Sequence, residues 1–283
     1  MVLEALFNPF VVKKKPFQMF WAGFLYSIIG MMLSYFVFQE IAGILTVFLI
    51  VIGSLPLLYT TIKNEEELDL KYKEVVLLRE HTKVLVFLMF LFLGITSALT
   101  MAYVFLPIEI TGTLFNIQEQ AILNVNSAIQ ARLTGYSIGG GLFIKIFLNN
   151  IKVMFFCIIF SLLYGAGALF ILTWNASVIA TAIGNFIRSE ISATASLVGF
   201  SVVSAYFKAG ALGFFRYMLH GVFEIGAYFV AALAGGIVSI ALIKQDARNE
   251  KVFLDALNLL IISLGLLFFG SLVEVFVTPI FFS

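Results

Sequence analysis

Stretches of about twenty consecutive apolar residues dominate this chain. A hydrocarbon core of about 30 Å takes about 20 helical residues to cross. In lipid every backbone N–H and C=O must be satisfied within its own segment, so such stretches fold as helices. The first runs from Phe17 to Phe38 and the second from Ala42 to Ile62, with Gln39, Glu40 and Ile41 making a tight hairpin between them. The third, Val84 to Leu106, stops at Pro107. Four more follow: about Phe147 to Thr173, an irregular one within Ala176 to Phe207, about Met218 to Ile243, and about Val252 to Val277, just before Pro279.

The expected fold is all-α: a polytopic transmembrane bundle of about seven spans in one integral membrane domain, 1–283. No alternating β-barrel pattern is present. Composition agrees. Of 283 residues, 61% are hydrophobic and 12% charged, about half the charge of a soluble domain. The net charge of +1 gives no clustered basic face for nucleic acid. The single cysteine, Cys157, excludes a disulfide framework and a thiolate metal site, and it reads as a small buried hydrophobe. No cofactor is implied.

Orientation follows from Lys and Arg at the span ends. Lys13, Lys14, Lys15, Lys63, Lys71, Lys73, Arg79, Lys83, Lys244, Arg248 and Lys251 fall on one face; Arg132, Lys145, Lys208 and Arg216 fall on the other. This predicts a multi-pass cell-membrane protein with its N-terminus in the cytoplasm and its C-terminus outside.

Two segments are not spans. Lys63 to Lys83 is charged and built of good helix formers, with Glu67/Lys71 and Asp69/Lys73 four residues apart. It reads as a cytoplasmic helical extension of the apolar N-terminal spans, 17–106. It is either a solvated linker or a docking surface for a cytosolic protein. The second segment, 107–142, places Phe115, Ile122, Val125, Ile129 and Leu133 on one helical face, opposite Asn116, Gln120, Asn124, Asn126 and Gln130. It is expected to be an outer amphipathic helix packed as a lid, with Gly139, Gly140 and Gly141 as a joint behind it.

Ionisable and amide side chains in spans are costly and mark function. They concentrate in 143–283: Asn149, Asn150, Lys152, Asn175, Asn185, Arg188, Glu190, His220 and Glu224. Asn175 suits a helix N-cap, and one span through Arg188 would leave that charge deep in lipid. The fifth span is therefore read as broken around Gly184 to Ser189, lining a cavity. His220 and Glu224, four residues apart in HGVFE, share one helix face. They could pair across the bundle, relay a proton, act as an acid/base pair, or supply half a metal site, so the metal stays unknown. Gly165, Gly167, Gly221, Gly235 and Gly236 provide small faces for close helix packing.

FLNNIKV (Phe147–Val153), WNAS (Trp174–Ser177) and LHGVFEIGAYFVAALAGG (Leu219–Gly236) resemble the stage II sporulation protein M family of membrane proteins, over about half the chain from Leu142 onward. The resemblance implies Asn149, Asn150, Asn175, His220 and Glu224 as functional candidates. Leu219 stands where the family has Pro, and Ala176 where it has Gly. In spore-forming bacteria members take part in engulfment with wall-remodelling partners.

Three functions are weighed. The first is a transporter or channel-like protein for a small solute, ion or lipid. The second is a scaffold that recruits a cytosolic or membrane partner, or a second copy. The third, ranked last, is an intramembrane enzyme, for which no nucleophile elbow is present.

Overall fold

The computed structural model describes residues 16–69, 74–130, 138–164, 168–194, 200–243 and 250–282, with backbone alone at 58–69, 74–83, 125–130, 138–139, 163–164 and a few helix-end positions. The helices are α1 (Phe17–Val37), α2 (Ala42–Asp69), α3 (Glu74–Phe105), α4 (Ile108–Gln130), α5 (Ile138–Tyr164), α6 (Ala168–Ala193), α7 (Phe200–Ile243), α8 (Glu250–Leu272) and α9 (Thr278–Phe282). A 3-10 turn at Gln39–Ile41 joins α1 to α2, and a π-helical turn at Val273–Val277 joins α8 to α9. Among the described residues there is no strand, and seven segments are long and apolar enough to cross a membrane.

The punctuation is where the residue chemistry puts it. Pro107 has no N–H to continue α3, and it disfavours helical backbone at the residue before it. The helix stops at Phe105, and α4 starts again with the Thr111 N–H donating to the Pro107 carbonyl. Pro56 is tolerated inside α2. The charged stretch 63–83 continues α2 to Asp69 and opens α3 at Glu74, so its helical backbone is as expected where described.

Within hydrocarbon there is no hydrophobic drive between helices, so close approach of small residues holds them. Gly23 lies against the Leu91 carbonyl and Gly94 against the Phe20 backbone, so α1 and α3 touch there; Phe17 meets Phe90 below and Phe36 faces Phe105 above, so the two helices run parallel. Gly30 packs on Ile50 and Thr46, fixing α2 antiparallel to α1. Gly184 lies under the Tyr103 ring, where a Cβ would come to 2.6 Å. Gly235 lies under the Ile158 carbonyl, where a Cβ would come to 2.9 Å. The Gln39–Ile41 turn marks one end of the bundle, the turn end. Helix α4 stays at that end, packing on α2 and α6 and burying Leu114, Phe115 and Gln118.

Five expectations are corrected. The fifth span is one unbroken helix, Ala168–Ala193. Helix α5 ends at Tyr164 and α6 begins at Ala168, so the fourth span starts and ends before the expected 147–173. Asn175 does not cap; it sits inside α6 and donates to the Ile171 carbonyl one turn back. The sixth helix starts at Phe200 rather than Met218 and has 44 residues, about 66 Å at 1.5 Å per residue. The glycines at 139–141 are no joint but the first turn of α5. The amphipathic helix does form, but it ends at Gln130, and Leu133 lies outside the described residues.

Candidate polar centre

Helices α5 and α7 run parallel, with Gly235 over Ile158 and the Ser161 hydroxyl donating to the Ala232 carbonyl. Helix α8 runs back antiparallel to α7, with Ser263 donating to the Ala227 carbonyl at 2.8 Å. These contacts fix the register of three faces, and a polar cluster forms where they meet. Asn150, near the midpoint of the span Gly140–Leu162, donates from Nδ2 to Glu224 Oε1 at 2.5 Å. The Tyr228 hydroxyl donates to Asn150 Oδ1 at 3.0 Å. With both its groups engaged, the Asn150 amide is held in one orientation.

The fourth member is Glu274, whose carboxyl is in hydrogen-bond contact with that of Glu224. Two carboxyl groups can hydrogen-bond to each other only when one of them carries a proton to donate. Gly270, one turn before Glu274 on α8, leaves the space Glu224 occupies: a Cβ there would lie 3.0 Å from Glu224 Cγ. Glu274 sits in the π-helical turn, with the Thr278 N–H and hydroxyl both reaching the Val273 carbonyl. Such turns interrupt α-helices most often at functional positions. One turn toward the turn end, the Thr278 hydroxyl is 3.4 Å from His220 Nδ1.

His220 and Glu224 thus share a helix face, as the spacing predicts, but each has its own partner beyond α7. Gly221 admits no neighbouring backbone, since the nearest atom to a Cβ there is the Ile225 side chain of its own helix at 3.8 Å; the expectation of a close approach at Gly221 is corrected. Gly235 does admit one, Gly236 is buried, and Gly165 and Gly167 lie outside the described residues.

The remaining candidates do not join the centre. Asn149 and Lys152 are exposed on the outward side of α5, because a helix turns neighbouring residues by about 100°. Asn185 and Glu190 are exposed on α6. Asn175 is half-buried on its own helix. Arg188 lies near the turn end of α6, donating to the Leu106 carbonyl and, at 3.1 Å, to the Thr111 hydroxyl, with its guanidinium 5.1 Å from the Tyr103 ring centre. The Tyr103 hydroxyl in turn donates to Glu119 at 2.6 Å. The shift of the helix break by one loop moves Arg188 from mid-span to a helix end, which removes the reason for a break beside it. Among the described residues no group of three or more His, Cys, Asp or Glu side chains is set to hold a metal.

Sequence reading misses Glu274 and Tyr228. Glu274 carried a usable signal: it is the only charged residue between Asp255 and the C-terminus, and it lies within an apolar run. Tyr228 gave none, because a tyrosine in a span reads equally well as packing.

Fold and centre together define a multi-pass helical membrane protein with a carboxyl pair at depth in its bundle. The chain matches the family model for stage II sporulation protein M over residues 36–279, and it belongs to that family. The match extends well beyond the half of the chain that carries the sequence resemblance, reaching back into α1. No curated protein and no solved structure matches the chain.

Proposed function

We propose that this protein is a proton-linked transporter or channel-like protein for a small solute, ion or lipid, with Glu224 and Glu274 as its working pair. One observation carries this reading: two carboxyl groups meet inside the spans, where an ionisable group is expensive and is kept for a task. Asn150 holds the Glu224 carboxyl in place, and Tyr228 fixes the Asn150 amide. Thr278 and His220 extend the polar line toward the turn end. A proton taken up or released by the pair changes the charge between α7 and α8, which biases how those helices pack. By the excess of basic residues, the N-terminus is cytoplasmic and the C-terminus outside.

The test is proton flux. The full chain is reconstituted in liposomes enclosing a pH-sensitive dye, and a pH step is applied. Glu224→Gln and Glu274→Gln each abolish the dye response, while Glu190→Gln, at an exposed site, keeps it. Equal flux in all three variants refutes the reading.

A scaffolding reading has its own observation. Lys152 and Asn149 are exposed near the middle of a span, and α5 has the smallest buried share of the seven. A charge facing lipid at mid-depth costs roughly 2.5–3.5 kcal/mol on insertion scales. That favours cover by a second copy or a partner helix. Disulfide crosslinking of Lys152→Cys in a Cys157→Ser background checks it, and an exclusively monomeric product counts against a second copy.

A further inference from the structure

On other helices than the polar centre lies a groove that the proton-linked reading does not use. Parallel helices α1 and α3 touch at Gly23 and Gly94, then separate toward the turn end, where Ile110 and Leu114 of α4 wedge between them. The resulting cavity has a volume of about 480 Å³, within the roughly 300–1,000 Å³ of small-molecule pockets. It runs along α1 from Phe24 to Phe36 and is faced by Met101 and Phe105 of α3. Tyr35 alone among its lining residues has a side-chain oxygen or nitrogen; the rest is hydrocarbon and thioether.

We infer that this groove is a binding site for one acyl tail of a membrane phospholipid, with preference for a zwitterionic over an anionic headgroup. Three observations converge. The groove opens sideways through Met32, Phe36, Met101 and Phe105, all exposed within spans, so it is continuous with the surface that faces lipid. Its length along α1, twelve steps of 1.5 Å from Phe24 to Phe36, is about 18 Å. One leaflet of a hydrocarbon core is about 15 Å deep, the reach of one tail. The groove is closed at its deep end by the Gly23 and Gly94 contacts, so the tail enters with its head at the turn end.

The headgroup preference comes from charge. Exposed Glu40 follows α1 by one turn, and exposed Glu109 stands beside Ile110 in the groove wall. Both lie at the turn end of the bundle, where the head would sit, and two carboxylates there repel a phosphate that carries no compensating cation. Arg188, which reaches the lining residue Leu106, is turned onto the Leu106 carbonyl and Thr111 and does not line the groove. Flexible Met31, Met32 and Met101 let the walls adapt to a bent or straight tail.

Photo-crosslinking tests the site. The full-length protein is placed in vesicles carrying phosphatidylcholine or phosphatidylglycerol with a diazirine near the tail end, irradiated, and mapped by peptide mass. Phosphatidylcholine labels the peptides that hold Met32 and Met101 several-fold more than the exposed Phe268–Phe269 face of α8. Filling the groove with Ala98→Trp, or with the smaller change Ala102→Leu, removes that excess in protein that remains monodisperse. Glu40→Gln with Glu109→Gln, at exposed sites that leave the core untouched, raises phosphatidylglycerol labelling toward that of phosphatidylcholine. Uniform labelling over the whole lipid-facing surface, or labelling of Met32 and Met101 unchanged in both filling variants, overturns the site. Equal labelling by the two lipids in the unmodified protein overturns the headgroup preference.

Discussion

Asn149 and Asn150 are adjacent, chemically identical and equally suggested by the sequence, yet they stand in opposite environments. Asn150 is 6% exposed and makes two side-chain hydrogen bonds, to Glu224 and from Tyr228. Asn149 is exposed on the outer side of α5. Hydrogen bonds between membrane helices average about 0.6 kcal/mol and reach about 1.7. Asn150→Ala removes two, so it costs about 1–3 kcal/mol. At roughly 2–4 °C per kcal/mol for a chain of this order of size, the melting temperature falls by several degrees. Asn149→Ala removes nothing buried and stays within about 0.5 kcal/mol. The protein carries its own reporter: its one cysteine, Cys157, has no exposed surface, and a thiol-reactive fluorogenic dye reaches it only on unfolding. Thermal ramps in detergent with that dye give the two shifts directly. Equal shifts, or a larger one for Asn149→Ala, would show that the register of α5 against α7 is wrong, and the centre would go with it.

Other substitutions check the rest of the packing. Gly94→Ala puts a methyl into the Phe20 backbone and costs about 1–3 kcal/mol by overpacking, whereas Gly112→Ala, with open space around it, is neutral or slightly stabilising in the same dye assay. Arg188→Ala frees the Leu106 carbonyl and Thr111 at the α3–α4 joint; bonds to a charged group contribute about 1.5–3 kcal/mol, so amide exchange across the described part of α4 accelerates by about tenfold or more. Arg188→Lys restores this only in part, because an ammonium lacks the planar fork that reaches both acceptors.

The spans were legible because apolar length alone announces them, and the hairpin at Gln39–Ile41 and the stop at Pro107 were legible because each has a local cause. The site was half legible. Cost in lipid pointed to Asn150, His220 and Glu224, which the structure places near one another, but residue cost says nothing about which way a side chain points. Asn149 and Lys152 carry the same sequence signal as Asn150 and face outward. The misplaced break had one cause: a fourth span drawn at 147–173, where α5 ends at Tyr164, moves every later boundary along until Arg188 stands at mid-span. Gln118 shows the converse. It interrupts the polar stripe of α4 and, at 1% exposure, donates to the Gly43 carbonyl and Ser177, holding the lid to α2 and α6.

The two halves of the bundle satisfy their polar groups differently, and that difference bears on where motion can occur. In α1 to α3 one hydroxyl pair, Ser34 and Thr46, bonds across helices, while the hydroxyls of Ser27, Thr46 and Thr96 also bond to carbonyls one turn back on their own helices. Bonds of that second kind are kept whatever the neighbouring helix does. In α5, α7 and α8 the bonds of Asn150, Tyr228, Ser161 and Ser263 cross between helices, and the Glu224–Glu274 contact does the same. Separating α5 from α7 leaves the Asn150 amide without partners in apolar surroundings, at about 1–3 kcal/mol. Separating α7 from α8 breaks the carboxyl pair, and that cost depends on the protonation of the two groups. The C-terminal helices are therefore joined through ionisable and amide side chains, and α1 to α3 through hydroxyls and close-packed small residues.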